Sequence, residues 1–165
     1  MMNYQEIELW LKKYGITNYT IHENLVVDVD GFVAISGERA TALPFQFGTV
    51  TGYFSCFHNN LNSLKHCPTT VGGDFSCSHN QMTSLQYCPT MVGGDFYCAN
   101  NQLISLQYCP TTVGGDLYFS NNPLIVTKEN EKEWFEVIKN HKEVYSKIKE
   151  PTEELTLLHK ILWEV

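Results

Sequence analysis

Apolar and polar positions fall into three regimes along the chain. Over the first fifteen residues Ile7, Trp10, Leu11 and Tyr14 share one face at helical spacing. Asn3 stands where an N-cap belongs, with Glu6 as its capping-box partner, and Gly15 stands at the stop. The spacing predicts a short N-terminal helix, then a strand from Tyr19 to Val29. Next come short bursts of alternation, such as Phe75-Ser76-Cys77 and Phe96-Tyr97-Cys98, which read as strands with one buried face. Beyond Thr127, a candidate N-cap, Trp134, Val137, Ile138, His141, Val144, Tyr145 and Ile148 return to helical spacing. Pro151 breaks that helix and opens a second one, apolar on two sides: Leu155, Leu158 and Leu162 on one, Leu157, Ile161 and Val165 on the other.

The middle regime is periodic. VGGDFSCSHNQMTSLQYCPTM begins at Val71, VGGDFYCANNQLISLQYCPTT at Val92 and a truncated VGGDLYFSNNPLI at Val113, a spacing of 21 residues. The same step backwards finds VTGYFSCFHNNLNSLKHCPTT at Val50 and the degenerate VDGFVAISGERATALPFQFGT at Val29. Val29, Val50, Val71, Val92 and Val113 form one column, and Leu43, Leu64, Leu85 and Leu106 another. Four full repeats and a partial fifth therefore occupy residues 29–125, between a cap at 1–28 and a helical cap at 126–165, all in one domain. A unit this short cannot bury its apolar side alone, so neighbours must stack.

Within each unit the pattern GxxFxCxxNxL has the spacing of the leucine-rich signature LxxLxLxxNxL, with Gly, Phe and Cys at three apolar positions. The remainder, LxxCPxxV, resembles the convex half of the short repeats in bacterial leucine-rich effector proteins, with one residue added in the Gly-Gly-Asp turn. Runs such as VGGDFYCANNQLISL are also similar to those of bacteriophage and mobile-element proteins of unassigned role. The resemblance covers the repeats and not the flanks. It implies an α/β repeat solenoid, a leucine-rich-repeat-like right-handed coil with a short parallel sheet on its concave side, capped by an N-terminal helix and C-terminal helices.

Stacking turns equivalent positions into ladders. Asn59, Asn80, Asn101 and Asn122 are expected to turn inward and bond backbone where the strand bends away. Cys56, Cys77 and Cys98 share a column with Ile35 and Phe119, so we read cysteine there as a small hydrophobe. Cys67, Cys88 and Cys109 form a second column. The competing reading, a metal or disulfide site, has no CxxC and no His-x3-His to support it, and we assign no metal and no cofactor. The Gly-Gly pairs should supply positive φ or close backbone approach; their 21-residue recurrence does not fit the nonapeptide calcium repeat of β-helices.

Composition then narrows the function classes. With 165 residues and 43% hydrophobic content the chain can bury a continuous core, and no apolar run is long enough to span a bilayer. Charged residues occupy the place of a signal peptide's apolar stretch, so we expect a cytoplasmic protein of a bacterial host cell. The net charge of −7 disfavours direct contact with a phosphate backbone and favours a protein with a basic surface.

Leucine-rich geometry gives three outward columns on the sheet. They are Phe32, Tyr53, Asp74, Asp95 and Asp116; Ala34, Ser55, Ser76, Tyr97 and Tyr118; and Ser36, Phe57, Ser78, Ala99 and Ser120. Gly37, His58, His79, Asn100 and Asn121 lie at the strand exit. From these we select Tyr53, Phe57, His58, Asp74, His79, Asp95, Tyr97, Asp116 and Tyr118 as the expected partner-binding set, because tyrosine-rich surfaces suit protein recognition. The alternative is that the aspartates cap their own Gly-Gly turns and the aromatics merely cover gaps between strands.

An enzyme would need one asymmetric constellation, such as His58 or His79 acting as a base near Asp74. The chain repeats equivalent residues instead and has no nucleophile elbow or phosphate loop. The expectation is a non-enzymatic interaction module, a phage or mobile-element accessory protein that inhibits or redirects a host bacterial protein, with an anti-defence role within that class. Two alternatives stand beside it: a self-assembling module, homodimeric through its C-terminal helices, and a small-ligand or nucleotide sponge using the aromatics near Tyr53.

Overall fold

The computed structural model describes residues 2–125. The two helices expected beyond Thr127, and the dimer contact assigned to them, lie outside the described residues.

One helix opens the chain, α1 (Tyr4–Lys13). Its first turn is closed by the expected box: Glu6 N–H donates to Asn3 Oδ1 at 3.1 Å, and Asn3 N–H donates to Glu6 Oε2 at 2.8 Å. Past its end Gly15 takes a φ of +68°, a left-handed turn that glycine adopts without steric cost. Ile7 and Leu11 are completely buried, and Trp10 sets its edge against Phe45 at 5.1 Å, so the helix covers the first turn of the coil.

The segment expected as one strand from Tyr19 to Val29 is two: β1 (Tyr19–Ile21) and β2 (Val27–Val29), paired antiparallel. The reason is local. Asn24 Oδ1 accepts the Val26 N–H at 3.2 Å and Leu25 adopts a φ of +63°, which folds the chain back on itself.

Nine further strands follow: β3 (Val33–Ala34), β4 (Phe47–Val50), β5 (Phe54–Ser55), β6 (Thr70–Val71), β7 (Phe75–Ser76), β8 (Met91–Val92), β9 (Phe96–Tyr97), β10 (Thr112–Val113) and β11 (Leu117–Tyr118). They form two sheets, one in the order β1-β2-β4-β6-β8-β10 and one in the order β3-β5-β7-β9-β11. Every pairing after β1–β2 is parallel, and from β4 onward residues 21 apart are partners, Phe54 with Phe75 and Phe75 with Phe96. The protein is thus a β-solenoid of about four turns. The second sheet, through Thr70–Val71 and its equivalents, was not expected. Its strands in the later turns, Thr70–Val71, Met91–Val92 and Thr112–Val113, run straight into glycine and lack the apolar-polar-apolar alternation that marks the other sheet. Among the described residues the half-turns between Leu64, Leu85 or Leu106 and the next sheet strand contain turns rather than helices.

The core runs along the axis between the sheets. Phe54, Phe75 and Phe96 stack with centroids 5.7 and 5.5 Å apart, flanked by the buried columns Cys56, Cys77, Cys98 and Leu61, Met82, Leu103. All six cysteines are free; Cys67 is buried with the first column, whereas Cys88 and Cys109 are half-buried. Burial pushes the thiols of Cys67, Cys77, Cys88 and Cys98 up, so the thiol rather than the thiolate is the form these sites favour.

The Gly-Gly pairs have a steric explanation. A Cβ on Gly72 would collide with the Thr51 carbonyl oxygen, and one on Gly93 with that of Gly72. A Cβ on Gly94 would meet the Asp74 carboxylate of the preceding turn. Close approach of stacked backbones, not positive φ, is what these glycines supply.

Candidate partner-binding face

The outward side of the five-stranded sheet carries most of the residues selected from sequence. Inward side chains of β5, β7 and β9 are the buried Phe54, Phe75 and Phe96, which leaves Ser55, Ser76 and Tyr97 facing out. At one end Phe32 and Tyr53, both exposed, stack at 4.9 Å and 11°. At the other end Tyr97 and Tyr118 stack at 4.5 Å and 10°. Both spacings are close to the roughly 4.8 Å between neighbouring strands, so each pair continues the sheet's own repeat outward.

Asp74 and Asp95 reach the next turn along the coil. Asp74 Oδ1 accepts the Asp95 N–H at 2.8 Å, and Asp95 Oδ1 accepts the Asp116 N–H at 2.7 Å. Each carboxylate therefore clips its turn to the next one along the coil. The same device begins earlier, where Asp28 Oδ1 accepts the Thr49 N–H at 2.6 Å. That bond, joined by His22 at 2.7 Å, holds the Asp28 carboxyl below its ordinary range.

The remaining oxygen of Asp95 accepts the Tyr97 hydroxyl at 2.7 Å, and Asp116 accepts that of Tyr118 at 3.3 Å. This bond to a carboxylate, with desolvation and the negative charge behind it, pushes the Tyr97 phenol well above its usual range. Tyrosine and aspartate thus fix each other's orientation on the fourth and fifth turns.

On the third turn the tyrosine is replaced by Ser76. Here Tyr53, Phe54, Ser55, Asp74, Ser76 and Tyr97 line a shallow cavity of about 360 Å³. Asp74, one of its lining residues, is exposed.

The histidines have a backbone reason to be where they are. His58 and His79 take φ values of +54° and +56°, and their equivalents Gly37, Asn100 and Asn121 are also left-handed at +75°, +56° and +58°. Glycine, asparagine and histidine are types that enter this region most readily. The side chains then form their own ladder: His58 stacks on His79 at 6.0 Å, Asn100 Nδ2 lies 3.1 Å from His79 Nε2, and Asn121 donates to Asn100 at 2.9 Å. Phe57 sets its ring against His79 at 5.0 Å. Among the described residues no hydrogen bond links either histidine to Asp74. Ser78, expected outward in the Phe57 column, is buried to 6% exposure.

Tyr53, Asp74 and Tyr97 are therefore brought together around one cavity; Phe57, His58 and His79 form a neighbouring cluster; and Asp116 with Tyr118 closes the far end. Ser55 and Ser76, in the outward columns but not selected as binding residues, complete the cavity. The signal that marks them is the change from small residues to tyrosine in their column, between Ser76 and Tyr97.

Among the described residues no group of three or more His, Cys, Asp or Glu could hold a metal ion, and no helix is long and apolar enough to cross a membrane. Compared with known proteins, the chain matches no family model, no curated protein and no solved structure.

Proposed function

We propose that this chain is a non-enzymatic protein-interaction module that binds through the outward face of its five-stranded sheet. The observation that carries this reading is where the repeat breaks. Inward positions stay apolar throughout, whereas the outward columns change character along the coil: Phe32 and Tyr53 give way to Asp74, Asp95 and Asp116 in one, and Ala34, Ser55 and Ser76 give way to Tyr97 and Tyr118 in the next. Stability does not ask for that variation; recognition does. Rigid, stacked tyrosines offer contact area at low entropic cost, and a row of carboxylates favours a partner with a basic surface.

Within that reading the coil is a leucine-rich-repeat-like protein of bacteriophage or mobile-element type. It acts in the cytoplasm of a bacterial host, where it inhibits or redirects a host protein as an anti-defence factor. The resemblance of the repeats supports this origin.

The test is capture from bacterial lysate at near-physiological salt, using the immobilised full chain and its Tyr97→Ala/Tyr118→Ala variant. Recovery of one protein in stoichiometric amount by the parent, and its loss with the variant, is the expected outcome. Equal recovery by both chains, or none by the parent, overturns the proposal.

A further inference from the structure

On the outward face the two aromatic stacks lie in neighbouring columns, Phe32 and Tyr53 in that of Asp74, Tyr97 and Tyr118 in that of Ser76. Tyr53 belongs to the second turn and Tyr97 to the fourth, with Asp74 and Ser76 on the turn between. At about 4.8 Å per strand and about 3.3 Å per residue, the Tyr53 and Tyr97 backbones are offset by roughly 10 Å along the coil and roughly 7 Å along the strands. One side of each ring is covered by its partner, Phe32 or Tyr118. The other side borders the cavity that both tyrosines line. A flat group seated there has the open side of a tyrosine ring to lie against and the Asp74 carboxylate beside it.

That carboxylate is the one the fold leaves partly unused. Asp95 has Oδ1 on the Asp116 N–H and Oδ2 on the Tyr97 hydroxyl. Asp74 has Oδ1 on the Asp95 N–H, but Ser76 stands where Tyr97 stands one turn later. Among the described residues no hydrogen bond reaches the second oxygen of Asp74. The hydroxyls of Ser55 and Ser76 add acceptors beside it.

Resting on the reading of this face as protein-binding, we propose that the slot takes the guanidinium of an arginine side chain presented by the partner. Guanidinium is planar, carries the charge Asp74 calls for, and stacks on aromatic faces while its N–H groups donate to a carboxylate. A lysine ammonium satisfies the charge but has no plane to lay against a ring. A neutral flat ring leaves the carboxylate unmatched, and a nucleotide brings phosphates toward Asp74, Asp95 and Asp116 on a chain of net charge −7. A cavity of about 360 Å³ has room for the head group and its methylene stem.

The experiment uses the full chain labelled with nitrogen-15 and three capped tripeptides, glycine-X-glycine with X as arginine, lysine or citrulline, followed by amide chemical shifts. The arginine peptide is expected to move Ser55, Asp74, Ser76 and Tyr97, and to bind about tenfold more tightly than its neutral citrulline isostere. Lysine falls between them. Asp74→Asn keeps an oxygen for the Asp95 N–H, so the fold is retained, and it lowers arginine affinity by about tenfold. Shifts elsewhere or none at millimolar peptide, equal binding of lysine and arginine, or an unchanged Asp74→Asn affinity each overturn the assignment. If the peptides fail while lysate capture still depends on Tyr97 and Tyr118, the slot assignment alone falls. If arginine binds in the slot but no protein is captured, the broader reading falls instead.

Discussion

Asn80 donates to the carbonyls of Cys56 and Cys77 at 3.0 Å each and accepts the Leu61 N–H at 2.9 Å. One side chain thus satisfies backbone groups on two turns, and Asn59, Asn101 and Asn122 repeat the arrangement. Replacing Asn80 by Ala leaves three buried backbone groups without that partner, so we expect a loss of about 3 kcal/mol or more in urea unfolding. Thr83→Ala, at an exposed position of the same turn, should stay within about 0.5 kcal/mol. Equal losses would show that the ladder does not hold the stack. The inward turn of these asparagines is legible because each precedes a leucine or methionine of the core by two residues, buried in the first three turns and partly buried at Leu124. The direction of Asp74 is not. Its acceptor role depends on where the Asp95 amide lies one turn on, a geometry that no single repeat contains. The left-handed column was legible in principle, since Gly37, His58, His79, Asn100 and Asn121 share little except tolerance of positive φ.

The elements differ in how much of themselves they disclose. Helix α1 was readable from both ends, since its box residues and its stop glycine are local signals. Its stripe also separates the buried Leu11 from Leu9, which is 68% exposed. Because α1 covers the first turn's core, Leu11→Ala should cost about 3 kcal/mol while Leu9→Ala costs almost nothing, as read from chemical denaturation midpoints. Matching losses would mean that the helix does not dock through this face. The hairpin β1–β2 is hidden because Tyr19 to Val29 reads as one continuous strand, although Asn24 is a turn former. The six-stranded sheet is hidden for a different reason. Thr70–Val71 and its equivalents gain their extended pairing from the turn above and the turn below, so the stack creates them.

At the scale of the whole molecule, the period of 21 residues sets which residues serve the stack and which remain for binding. Phenylalanines, cysteines, asparagines and glycines recur because each must fit its own copy one turn away. Tyr53, Asp74 and Tyr97 come from three different turns and converge only when the coil forms, so their cavity could not be read from the repeat alone. The central claim is that the outward face of the five-stranded sheet does the binding. Hydroxyl-radical footprinting of the complex with the captured partner tests it at side-chain level. Tyr53, Phe57, Tyr97 and Tyr118 should become protected, while the exposed Tyr87, Met91 and Tyr108, in and leading to the six-stranded sheet, should react as in the free chain. Protection of Tyr87, Met91 and Tyr108 with no change at Tyr53 and Tyr97 would contradict the account.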